Sequence, residues 1–236
     1  TEELQRIIAG RDKLYSVIAH DLRSPMGSIK MVLNMLMLNL PVEKIGGEMY
    51  ELLTMANRTT EDVFSLLDNL LKWTKSQIGN LNVVYQDVDA VEVVDSVIDV
   101  FNMVAGLKKI TIREEKPEKL PVCTDIDMLK TIIRNLLSNA IKFSNENSEV
   151  LVKMEEQGDT VVVSVKDSGC GIDEEGQQKL LHTDTHFSTF GTNNEEGSGL
   201  GLLLCQDFAV KIGGKLWFTS KEGEGSTFYF SIPLKK

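Results

Sequence analysis

Positive charge, cysteine, histidine and long apolar runs are all scarce in this chain, and each shortage removes a class of explanation. Against 35 Asp and Glu stand only 25 Lys and Arg, giving a formal net charge of -10 and a pI near 4.9. A surface that neutralises a nucleic-acid backbone needs clustered cations, so no nucleic-acid partner is expected. The three cysteines, Cys123, Cys170 and Cys205, are far apart with no C-x-x-C pair. That spacing provides neither a disulfide framework nor a zinc site and fits a reducing, cytoplasmic compartment. No apolar run approaches about 18 residues, and the amino end is not a signal-type segment. Direct membrane contact by this stretch is therefore not expected. Its first residue, Thr1, is followed at once by helical periodicity, which reads as part of a longer protein whose membrane anchor, if it has one, lies outside this sequence.

What is present begins with helical periodicity. Leu4, Ile8, Tyr15, Ile18, Leu22, Met26, Ile29, Leu33 and Leu36 recur at three- and four-residue steps, predicting one amphipathic helix over residues 2–38. His20 falls off that stripe and faces water or a partner. Asp21 follows it, and Ser24 is one turn further along the face of His20. A carboxylate there can hold the imidazole tautomer and raise its basicity, which makes His20 a candidate nucleophile. Pro25 removes an N–H one turn later, so a kink or a loosened turn is expected beside it.

A second helix is predicted over residues 48–78 from Leu52, Ala56, Val63, Leu66, Leu67, Leu70 and Trp73. Two long helices with a short link make an antiparallel hairpin. Such a hairpin has little core of its own, and pairing with a second copy into a four-helix bundle is the economical solution, so a homodimer is expected.

The periodicity shortens after Gly79-Asn80, placing a domain boundary near residue 80: residues 1–79 and 80–236. Strands are predicted around 82–88, 109–113, 149–155, 160–167, 215–220 and 226–232, with hairpin turns at Gln157-Gly158-Asp159 and Glu222-Gly223-Glu224-Gly225. Helices are predicted at 90–106, 125–142, 173–181 and 200–212. The result is an α+β sandwich with its helices on one face. Residues 184–197 lack any apolar period and read as a long functional loop.

Three motifs in this second part carry chemistry. Asn135 and Asn139 are one turn apart with Lys142 at the next step, an amide and ammonium face suited to magnesium and phosphate. Asp167-Ser168-Gly169-Cys170-Gly171-Ile172 follows a buried strand. Its glycines let backbone approach a flat ligand while a carboxylate accepts from an exocyclic amine, as an adenine pocket requires. Gly197-Ser198-Gly199-Leu200-Gly201-Leu202 opens a helix, where exposed N–H groups form an anion site. Each has a plain alternative as a helix end, a tight turn or a glycine loop.

Taken in order, these segments resemble the boxes of the sensor histidine kinases of two-component signalling. His20-Asp21-Leu22-Arg23-Ser24-Pro25 resembles the phosphoacceptor box, residues 135–143 the N box, residues 167–172 and 197–202 the first two glycine boxes, and Gly223-Glu224-Gly225-Ser226-Thr227-Phe228 the third. The resemblance implies a dimerisation and phosphotransfer hairpin followed by a Bergerat-type ATP-binding domain. It implies ATP and Mg²⁺ as ligands, autophosphorylation of His20, and transfer to an aspartate on the receiver domain of a response regulator. Carried over by position, Asn139 and Asn135 would bind Mg²⁺, Lys142 would meet phosphate, and Phe143 would pack beside the nucleotide. Asp167, with Gly169, Gly171 and Ile172, would hold adenine, and Thr227 would join the ATP site. Gly197, Ser198, Gly199, Leu200 and Gly201 would face the phosphates, with Phe187 and Phe190 in the lid. Asp21 would orient the histidine, and Ser24 would place a water for dephosphorylation.

The family more often has Thr or Asn where this chain has Ser24, which puts phosphatase activity in question. Residues 182–197 contain no Lys or Arg, so Lys179 is the nearest substitute for a basic lid residue. His182 and His186 have the i,i+4 spacing of a metal pair, but no third ligand accompanies them and they read as surface histidines. ATP-hydrolysing relatives of the fold resemble one another in carrying a glutamate base where Asn135 stands. A nucleotide-binding dimeric scaffold without autophosphorylation remains the alternative.

Overall fold

A computed structural model describes residues 2–39, 46–77, 82–180, 191–192 and 199–234, without the side chains of residues 2–17, 19, 20, 58, 61, 62, 65, 66, 69 and 73–77. The chain divides into two compact units, Thr1–Asn82 and Val83–Lys236.

The first unit is a pair of packed helices, α1 (Glu2–Asn39) and α2 (Gly47–Gln77). Helix α1 continues through Pro25 with no break in helical conformation, although the ring supplies no N–H to the preceding turn. Leu67 and Leu71 are buried, with Met26, Val63 and Leu70 packed against them. Much of the apolar stripe stays open on a single hairpin: Ile18, Leu22, Ile29 and Leu36 are all exposed, as are Leu52 and Met55 on α2. An ion pair from Arg23 to Asp68 joins the two helices, and Lys72 reaches the same carboxylate at 3.0 Å.

The second unit is built on a five-stranded sheet in the order β2 (Thr111–Glu115), β4 (Glu149–Gln157), β5 (Thr160–Lys166), β7 (Gly225–Pro233), β6 (Leu216–Lys221). The β2–β4 pair is parallel and the other pairs are antiparallel. Strand alternation sends Val152, Met154, Val161, Val163, Val165, Phe228, Phe230 and Ile232 to one buried face, while Lys166 and Thr219 point to the other, open face. Helices α3 (Ala90–Leu107), α4 (Ile126–Phe143) and α6 (Leu200–Lys211) line the apolar side, and α5 (Glu174–Lys179) is one short turn.

A separate two-stranded ribbon pairs β1 (Gln86–Asp89) with β3 (Pro121–Thr124). The ribbon ends in two helix caps. Asp89 accepts from Val91 N at 3.0 Å and Leu120 N at 2.9 Å, and Asp125 accepts from Asp127 and Met128 N at 3.0 Å and from Val84 N at 2.8 Å. Besides the unbroken helix at Pro25, where the sequence predicts a kink or a loosened turn, two features of the second unit differ from the sequence reading. The first strand begins only at Gln86, because Val84 N is taken by the Asp125 cap. Strand β3 is an addition, too short and too close to the cap of α4 to show a period of its own.

Candidate functional site

The floor of the site is Asp167, the residue after β5. It is 4% exposed, and its Oδ1 accepts from Gly169 N at 2.9 Å and Ser226 N at 3.2 Å. Burial pushes its carboxyl above the usual carboxylate range, and the N–H donors of Gly169 and Ser226 oppose that shift. Asp167 N also donates to Ser226 O at 2.9 Å, so the carboxylate is fixed between two strand ends.

The loop after Asp167 is folded hard against its neighbours. A side chain at Gly169 would run into the carbonyl of Phe143, and one at Gly171, where φ is +64°, into the carbonyl of Lys221. Cys170 N reaches Phe143 O at 3.4 Å, and Gly223 N donates to Cys170 O at 2.7 Å. Ile172 is half-buried, and its carbonyl accepts from Gln177 Nε2 at 2.7 Å. The loop is thereby seated on the C-terminal end of α4, the helix that carries the amide residues.

On α4, Asn135 and Asn139 are both half-buried. Asn135 Nδ2 donates to Thr131 O at 2.9 Å, which turns Oδ1 toward Gly201 in the first turn of α6. No side chain fits at Gly201 while that oxygen is there. Gly199 takes the left-handed conformation (φ +68°) as the cap of α6 and offers no side chain to its first N–H groups. Leu200 is buried behind it. Lys142 Nζ lies 4.7 Å from the Phe143 ring centre. Among the described residues no three His, Cys, Asp or Glu side chains group to hold a metal. Asn135 and Asn139 each carry an amide oxygen, a hard donor of the type that Mg²⁺ takes.

Asp167 and Gly169 thus meet each other and the C-terminal end of α4, and Asn135, further back on the same helix, meets Gly201 at the start of α6. Thr227 is not brought to that group. It pairs with Lys166 and Thr219 and points to the opposite sheet face from Asp167. Its neighbour Ser226 is the residue that meets Asp167, and its Oγ is 2.8 Å from Ser220 Oγ. Strand alternation after the buried Phe228 could have identified Ser226 from sequence.

Lys179 pairs with Glu175 at 2.5 Å. In the hairpin, Asp21 and Ser24 are exposed on α1, and Ser24 O accepts from Ser28 Oγ at 3.2 Å. The side chain of His20 lies outside the described residues, as do Phe187, Phe190, His182, His186, Gly197 and Ser198.

Three comparisons bear on this arrangement. The family described as "Histidine kinase-, DNA gyrase B-, and HSP90-like ATPase" matches residues 124–236. The adaptive-response sensory kinase SasA of Crocosphaera subtropica is 29% identical over 238 residues, covering 99% of this chain, which spans 62% of the length of that relative. Among solved structures, the catalytic domain of histidine kinase ThkA is 31% identical with a TM-score of 0.56, over 64% of this chain and 96% of that one. Full-length ShkA in complex with AMPPNP has a TM-score of 0.72 over 95% of this chain and 46% of that one, and at 21% identity it supports the fold alone.

Proposed function

Since the chain belongs to the sensor histidine kinase family, we propose that it is the cytoplasmic catalytic portion of such a kinase. In this reading it phosphorylates itself on His20 from ATP and then passes the phosphoryl group to an aspartate of a response-regulator receiver domain. The observation that carries the reading is the buried Asp167 carboxylate, with the Gly169 loop seated on the end of the helix bearing Asn135 and Asn139. A buried acceptor beside tightly packed glycines suits the exocyclic amine and flat ring of adenine. Amide oxygens and the bare helix start at Gly199 suit the phosphates.

Asn139 and Asn135 would hold Mg²⁺, which when bound neutralises charge on the phosphate oxygens. Lys142 places an ammonium on the same helix end. Asp21 orients the neutral imidazole and holds the proton on the ring nitrogen that does not react. The other nitrogen attacks the γ-phosphorus, an N–P bond forms, and the P–O bond to ADP breaks. Ser24 is a small hydroxyl for placing a water, and dephosphorylation of the partner is the weaker part of the activity.

The exposed Ile18, Leu22, Ile29, Leu36, Leu52 and Met55 speak for a homodimer, since a second hairpin would cover a stripe that one copy leaves open. No described helix is long and apolar enough to cross a membrane.

The test is incubation with γ-labelled ATP and Mg²⁺, comparing the chain with His20→Gln. Acid-labile, base-stable label that disappears in the variant is the expected result. Tight ATP binding with no label in either protein would overturn autophosphorylation and leave a nucleotide-binding scaffold.

A further inference from the structure

A lysine just past a helix end is ordinarily solvated, and Lys108 holds that position after α3. In the structure it is 7% exposed. Its backbone N–H closes α3, and its side chain reaches the C-terminal end of α4. There Nζ lies 3.0 Å from Ile141 O, 2.8 Å from Lys142 O and 2.6 Å from Thr192 Oγ1. The two carbonyls belong to the last turn of α4, where carbonyls lack helical partners and the helix dipole is negative. Thr192 is bound to the same point three further times. Its N–H donates to Lys142 O at 3.2 Å, and its hydroxyl lies 3.1 Å from Lys142 O and 2.7 Å from Ser144 O. The next carbonyl along, Phe143 O, receives the loop of Gly169 and Cys170.

From this junction we infer that Lys108 is a positioning residue for the nucleotide site. Its ammonium ties the Thr192 segment to the end of α4, and so sets the frame in which Asn139, Lys142 and the Asp167 loop meet a nucleotide. Lys108 need not touch nucleotide to do this. Removing its charge while keeping its length would leave the α4 carbonyls short of a donor and take one of its partners from the hydroxyl of Thr192, which would keep Ser144 O. The inference rests on the reading of Val83–Lys236 as an ATP-binding unit.

The experiment compares the chain with Lys108→Met, Thr192→Val and the double variant, all assayed well below their melting temperatures. It reads ATP affinity by a fluorescent nucleotide analogue, together with KM and maximal rate of self-labelling. The expected result is a rise of about tenfold in Kd and KM for Lys108→Met, a smaller rise for Thr192→Val, and maximal rates within about twofold. The double variant should lose less than the sum of the two single losses, because both changes remove the shared contact between Lys108 and Thr192. Thr192 is exposed and Val keeps its shape, so that variant retains a folded protein even if Lys108→Met does not. A lowered melting temperature with unchanged Kd and KM in the single variants would overturn the positioning role. Strictly additive losses would overturn the link to Thr192. If the unaltered chain bound no nucleotide analogue, the ATP-binding reading itself would fall.

Discussion

The two units of the chain reach stability by different means. In the sheet unit, Leu129, Ile132, Ile133, Leu136 and Leu137 from one helix and Val161, Val163, Phe230 and Ile232 from the sheet are all at or near zero exposure. In the hairpin the described buried pair is Leu67 and Leu71, while Leu52 is 60% and Met55 66% exposed. Burial of apolar area is the dominant favourable term in folding, so the sheet unit carries its own core, whereas the described hairpin leaves many of its apolar side chains in water. A nucleotide site needs fixed geometry in the free protein. On the proposed reading of the hairpin as a phosphotransfer pair, it would gain from a surface that a second copy and a partner can both use.

The strongest way to break this contrast is a matched pair of leucine truncations. Leu137→Ala removes a side chain with no exposure and should cost the sheet unit about 2–5 kcal/mol, much of what a domain of this size has. Leu52→Ala should leave the folding of a single hairpin almost unchanged and weaken its pairing. Each unit has one tryptophan, Trp73 and Trp217, so Phe at one or the other assigns each urea transition. The expected outcome is a Trp217 midpoint lowered by Leu137→Ala at any protein concentration, and a Trp73 midpoint lowered by Leu52→Ala in a concentration-dependent way. A Trp73 transition in the unaltered chain that ignored concentration would end the comparison and the dimer with it.

A smaller effect sharpens the same contrast from the polar side. Burial holds the Asp167 carboxyl above its ordinary value of 3.8, against the pull of the Gly169 and Ser226 N–H groups. The folded unit therefore binds a proton more readily here than the unfolded chain does. Its stability through this group rises as pH falls from above the raised value toward 3.8, and the cost of the buried charge is fully present only above the raised value. Asp167→Asn keeps the acceptor oxygen and removes the charge. The Trp217 transition of the variant should lie above that of the unaltered chain at pH 7, with the gap closing as pH falls toward about 4. A variant less stable at pH 7 would mean that the backbone donors outweigh desolvation.

How far the sequence carried this reading depended on period and range. Helices α3 and α4 and the strands β4, β5 and β7 were legible because their apolar residues repeat over two or more turns or recur along segments of seven or more residues. Strand β3 has four residues and opens on Pro121, so nothing local distinguished it from a linker, and its pairing with β1 is a contact across more than thirty residues. The glycine boxes were legible as motifs, whereas the choice between Ser226 and Thr227 turned on which way a strand residue faces. Lys108 was not legible at all. A lysine after a helix end is ordinarily solvated, and only the meeting of α3, α4 and Thr192 in space makes this one buried.

The least of these effects concerns what pins the two hairpin helices together, against what pins the ribbon to the sheet unit. Asp125 is 7% exposed and accepts three backbone N–H groups, so Asp125→Ala leaves donors unpaired in a dry site and should cost about 1–2 kcal/mol. The hairpin's counterpart is Arg23, whose side chain is 46% exposed, paired with an Asp68 side chain at 21% and 5.8 Å from the centre of the Phe64 ring. Solvent screens that pair, and Lys72 already serves the same carboxylate. Arg23→Ala should therefore cost about 0.5 kcal/mol. Arg23→Met, which keeps a stem over Phe64, should recover part of that loss, and the difference between Arg23 and Met should shrink in high salt. A loss at Arg23 as large as that at Asp125, and indifferent to salt, would mean that the pair is shielded from water. The hairpin would then hold its helices together by the same dry polar contacts as the sheet unit.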